Sequence, residues 1–145
     1  MTYKERFWML MVLKDKKKYS TKWKNRSFLQ AFKHANEGLR TVYHDERNFR
    51  FDCWAGLLVV LSGFILNVSN NEWRSLLLAV FLVLASEAWN TVIENIVDLV
   101  CGTKHQVPAK KAKDIAAGAV LLSSLYAVFT AAMILLPKIW HIFFN

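Results

Sequence analysis

Leu76-Leu-Leu-Ala-Val-Phe-Leu-Val-Leu-Ala85 is as apolar as a membrane span, yet it continues directly into Ser86-Glu87-Ala-Trp-Asn90-Thr-Val-Ile-Glu94-Asn-Ile-Val-Asp98. On a helix turning about 100° per residue, Glu87, Asn90, Glu94 and Asp98 fall within an arc of roughly 80°. Three carboxylates and an amide then line one stripe of an otherwise apolar helix. Ionisable groups at bilayer depth are costly, so the stripe is a candidate functional site and cannot face lipid.

Composition supports a membrane setting. Hydrophobic residues make up 54% of the 145, which leaves room for one domain and no separate soluble module. The net charge of +8 is unevenly placed, with 13 of the 19 Lys and Arg in residues 1–50. Because this basic arm leads straight into apolar spans, its expected partner is an anionic lipid surface and not nucleic acid. Cys53 and Cys101 show no metal-ligand or CxxC spacing and read as ordinary apolar positions.

The pattern predicts an N-terminal extension over residues 1–27, followed by a membrane domain over 28–145. Within the domain, Phe28, Phe32, Ala35, Leu39 and Val42 oppose Lys33, Asn36, Glu37 and Arg40, an amphipathic surface helix over about 28–45. Spans are expected over about 51–68, 72–102 and 108–136, each to be judged against the roughly 20 residues that a crossing helix needs. Ser27-Phe-Leu-Gln30 and Ser69-Asn-Asn-Glu72 have the form of capping boxes. Val107-Pro108 suits the start of the last helix and Pro137 its stop. Ala116, Ser123, Ala127 and Ala131 form a small-residue face of the kind that lets membrane helices approach. The apolar run Phe7–Leu13 is short and no small-residue cleavage site follows it, so no cleaved signal peptide is expected.

The basic arm and the loop carrying Lys104, Lys110, Lys111 and Lys113 are expected on the cytoplasmic side, and the lysine-free turn over 67–72 outside. Counting from Trp73 at the outer surface, Glu87 lies about 21 Å across and Glu94 about 31 Å. The stripe would run from lipid depth to cytosolic water, where a lipid-soluble acceptor meets a water-soluble donor.

Glu87, desolvated among apolar residues, is the candidate general base toward a hydroxyl. Glu94 suits a hard cation such as Mg²⁺, which takes a few carboxylates plus phosphate oxygens. Lys113, with Asp114 beside it, is the candidate phosphate partner. Phosphoryl transfer to a membrane alcohol, a structural polar seam and an ion pathway all remain open on physical grounds. Neither GxxxxGK[ST], GxGxxG nor an HRD and DFG set occurs, and His34, His44, His105 and His141 are dispersed without zinc-ligand spacing.

Glu87-Ala-Trp-Asn90-Thr-Val-Ile-Glu94-Asn-Ile-Val-Asp98, followed by Ala112-Lys113-Asp114, resembles the prokaryotic diacylglycerol kinase family. Phe32-Lys-His-Ala-Asn-Glu-Gly38 and Glu46-Arg-Asn-Phe-Arg50 extend the resemblance, which covers roughly residues 28–136. It implies an all-α integral membrane protein of the bacterial inner membrane, with a surface helix and three transmembrane helices per chain. It further implies a homotrimer with sites between protomers, and an ATP- and Mg²⁺-dependent lipid kinase whose site faces the cytoplasm. By the same resemblance Glu87 takes the catalytic-base position, and Asn90 organises base and substrate. Glu46 and Glu94 hold the metal, while Thr103, Lys104, His105, Lys113 and Asp114 contact ATP. Asp98 matches the motif without an assigned step. Thr103-Lys104-His105 departs from the Glu-Tyr-His often found there, and Ala116-Ala-Gly-Ala119 is of the Gram-positive undecaprenol kinase type. Undecaprenol is the favoured acceptor and diacylglycerol the alternative; a membrane scaffold or ion-conducting oligomer is the non-enzymatic one. Three helices of one copy cannot easily enclose Glu87 and Asn90 and also bury the small face of the last helix, so burial against neighbouring copies is expected to do both.

Overall fold

The computed structural model describes residues 27–102 and 106–144. The expected N-terminal extension, apart from Ser27, and the three expected nucleotide contacts Thr103, Lys104 and His105 lie outside the described residues. The chain divides into two units, residues 1–40 and 41–145.

Helix α1 spans Phe28–Asp45. Ser27 Oγ accepts the Gln30 N–H at 3.3 Å, and Glu37 meets Lys33 and His34 on the polar face. Phe28, Phe32 and Leu39 are exposed on the opposite face, as an amphipathic surface helix requires.

The second unit holds helices α2 (Arg47–Ile65), α3 (Asn70–Cys101) and α4 (Val107–Phe144), each long and apolar enough to cross a membrane. The described fold is all-α, with α3 packed on both α2 and α4. Only a break at Glu46 (φ −97°, ψ 115°) separates α1 from α2. Arg50 stabilises the break by donating from Nη1 to the last α1 carbonyls, Tyr43 O at 3.1 Å and His44 O at 2.6 Å.

The sequence reading placed the first span over 51–68, but α2 stops at Ile65 because Asn67 takes a left-handed φ of 49°. Val68 N–H then donates to Gly63 O at 3.1 Å and Asn67 N–H to Phe64 O at 3.3 Å, a Schellman closure that also buries Val68. Ser69 starts α3 with both halves of a capping box, Ser69 N–H donating to Glu72 Oε2 at 2.6 Å. Gly63 allows the close α2–α3 approach: a Cβ there would lie 2.7 Å from the Trp73 ring. Gly102 ends α3 at φ 57° and ψ −134°, backbone that is essentially glycine's alone.

Pro137 does not stop the last helix; α4 continues to Phe144. A proline removes one intrahelical donor, whereas abandoning the helix in apolar surroundings would free many more groups. Beyond it, Lys138 Nζ lies 3.2 Å from Glu72 Oε2, and Trp140 stacks on Phe144 with centroids 4.1 Å apart.

Candidate active site

Leu76, Ala79, Val83, Glu87 and Thr91 are the buried residues of α3 and recur at spacings of three and four. They form one stripe, the seam along which α3 packs. Glu87 is therefore a member of the packing seam and is only 3% exposed. The next turn anchors the helix locally, with Thr91 Oγ1 donating to Glu87 O at 3.1 Å and Ser86 Oγ to Val83 O at 2.9 Å.

Around the Glu87 carboxylate stand Asp52 and Glu46 from the α2 side and Glu94 from α3, while the Asn48 side chain donates a hydrogen bond to it. Glu87, Glu46 and Glu94, expected in a site between protomers, are neighbours within one chain. Asn48 and Asp52 were missed. Their signal was present in the sequence: they are four apart on α2, a polar pair on one helical face.

Asn90 Nδ2 donates to Glu94 Oε1 at 2.9 Å. That bond settles the amide orientation, since the reverse would set two acceptors together. Asn90 Oδ1 is left buried with no hydrogen-bond partner. A buried acceptor without a donor is costly, and the position suits an incoming hydroxyl.

Along the predicted stripe, Glu87 is buried, Asn90 and Glu94 are partly buried, and Asp98 is exposed. Asp98 is not idle: its Oδ1 lies 2.7 Å from Lys113 Nζ and ties α3 to α4. Asp114 is paired with Lys110 at 2.5 Å. Both candidate nucleotide contacts on α4 thus carry ion partners, and a bound polyphosphate would have to take Lys113 from Asp98. A cavity of about 570 Å³ opens here, lined by Asp98, Cys101, Gln106, Lys110, Lys113 and Asp114 among others.

Within a single chain Glu87 is already buried, because the residue lies on the α3 seam, while Asn90 is only partly buried.

Among the described residues no three His, Cys, Asp or Glu side chains converge as a metal site. Glu46 and Glu94 each lie near the Glu87 carboxylate, and one or two carboxylates with waters and substrate phosphates make the donor set that Mg²⁺ takes.

Residues 33–135 match the family model for prokaryotic diacylglycerol kinase. An undecaprenol kinase of Bacillus subtilis is 38% identical over 112 residues, covering 77% of this chain and 90% of that protein. A diacylglycerol kinase of Synechocystis is 35% identical, covering 78% of this chain and 65% of that protein. A diacylglycerol kinase of Escherichia coli K12 is 32% identical, covering 74% and 87%.

Proposed function

The chain belongs to the prokaryotic diacylglycerol kinase family and is a lipid kinase of the membrane, and from that premise we propose that it transfers the γ-phosphoryl group of ATP to undecaprenol. The observation that carries this reading is the buried Glu87 carboxylate beside an unpartnered Asn90 carbonyl oxygen. The Gram-positive type of the Ala116-Ala-Gly-Ala119 run and the undecaprenol kinase among the relatives favour the polyisoprenoid over diacylglycerol.

In this reading the alcohol's single O–H donates to Glu87, with Asn90 beside it organising base and substrate. Glu87 takes the hydroxyl proton as the new O–P bond forms and the bond from phosphorus to the ADP oxygen breaks. Asn48 holds the Glu87 carboxylate in its orientation. Glu46 and Glu94 would hold Mg²⁺, which supplies charge neutralisation at the transferring phosphoryl group. Lys113 exchanges Asp98 for phosphate oxygens, with Asp114 and the 103–105 segment completing the nucleotide side. The site faces the cytoplasm of a bacterial plasma membrane, following the lysine-rich end of the helices, and the protein works as a homotrimer.

Purified protein in lipid, given labelled ATP, Mg²⁺ and both alcohols in competition, tests the proposal. Undecaprenol should take the larger share of label. Labelling of diacylglycerol alone would overturn the acceptor assignment, and labelling of neither would overturn the reaction.

A further inference from the structure

The last turns of α4 lie beyond the family match, which ends at residue 135, and nothing in the catalytic reading uses them. Residues 115–137 are 23 positions without an Asp, Glu, Lys, Arg or His, enough for a rise of about 34 Å. That spans one hydrocarbon core of about 30 Å at a tilt of roughly 30°. Lys113 marks one end. Lys138 marks the other, held 3.2 Å from Glu72 in the first turn of α3. The helix nevertheless continues for Ile139-Trp-His-Ile-Phe-Phe144, about 9 Å more.

Those turns do not point an arbitrary face outward. Leu122, Leu125, Phe129, Met133, Leu136, Trp140 and Phe143 follow one another at spacings of three and four, so they share one face. Each is more than half exposed, from 59% for Leu125 to 76% for Phe143. Lys138 lies on the opposite side and turns to α3. The outward apolar stripe of the span thus passes the ion pair without interruption, and past it the stripe becomes aromatic. Trp140 and Phe144, themselves exposed, are stacked into one slab.

We propose that residues 139–144 form an interfacial anchor, seated among the lipid headgroups and upper acyl chains on the membrane face remote from Lys113. The length argument places the segment just outside the hydrocarbon core, and aromatic side chains favour that layer. Continuity with the outward stripe of α4 makes lipid its occupant. The Glu72–Lys138 pair transmits the seat to α3 and so holds the acidic stripe at a fixed depth.

Two substitutions at exposed positions read the seat in the full chain in vesicles. W140F removes one tryptophan and F143W adds one. The emission lost in the first and gained in the second should be blue-shifted from aqueous indole. Both components should be strongly quenched by phospholipid brominated high on the acyl chain, less by phospholipid brominated near the chain end, and little by aqueous iodide. Iodide quenching like that of free indole would overturn the proposal by placing the segment in water. Strongest quenching from the chain-end bromine would overturn it by placing the segment in the core. Shielding from iodide and both lipids would overturn it by showing that a second copy covers the face.

Discussion

Glu87→Gln separates chemistry from packing. Gln is close to isosteric with Glu, so the α3 seam at Leu76, Ala79, Val83 and Thr91 should repack unchanged. The amide cannot accept the alcohol's proton. Positioned bases contribute about 10²–10⁴-fold, or about 2.7–5.4 kcal/mol at 1.36 kcal/mol per tenfold. Turnover should fall by that factor while the Michaelis constants for both substrates stay within a few-fold. Stability should move the other way or not at all. The substitution removes a carboxylate that is 3% exposed and stands among Asp52, Glu46 and Glu94, so one repulsive centre disappears. Radiolabel transfer and thermal denaturation in the same detergent read the two quantities together. A folded variant within tenfold of the parent's turnover would falsify the base assignment. A variant that loses activity together with its thermal transition would show a purely structural carboxylate.

Four further outcomes follow from the geometry. Glu46→Gln and Glu94→Gln should each shift the Mg²⁺ titration of activity upward by tenfold or so, since each removes one carboxylate of a pair; an unmoved titration in both would remove them from the metal site. Because Glu46 and Glu87 are neighbours in one chain, co-expressed Glu46→Gln and Glu87→Gln chains should not restore each other's activity, and recovery in purified mixed oligomers would show that the pair is shared between chains. Gly63→Ala should cost about 1–3 kcal/mol in denaturation, because the added methyl meets the Trp73 ring. Asn67→Val should cost about 1–2 kcal/mol, whereas Asn67→Gly should be neutral or stabilising, since φ at this turn is 49°.

Much of this was legible because periodicity encodes faces. The all-α architecture and the Ser69 cap follow from spacing alone. What was not legible depended on contacts between helices. Pro137 reads locally as a stop, but the helix beyond it is held by Lys138 against a residue 66 positions earlier, Glu72. Asn48 and Asp52 share a face of α2 by their spacing, but only the packing of α2 on α3 brings that face to Glu87. Counting helices likewise says little about which face of α3 is covered, whereas the contact of Trp73 with Gly63 bears on it directly.

This contact also bears on catalysis, at a distance. Adjacent helix positions differ by about 100°, so an error of one residue in the rotation of α3 would carry Glu87 off the seam. Trp73 against Gly63 and Glu72 with Lys138 fix the rotation at one end of α3. Asp98 with Lys113 fixes it at the other. The carboxylate lies between these restraints on a stripe whose other buried members are mostly apolar, so the interactions that orient the helix also orient the base. A buried acid in such a place loses hydration and stands among the carboxylates of Asp52, Glu46 and Glu94, while Asn48 donates to it. That arrangement is poor for stability and good for proton abstraction, which is the physical sense in which the seam ends in a site.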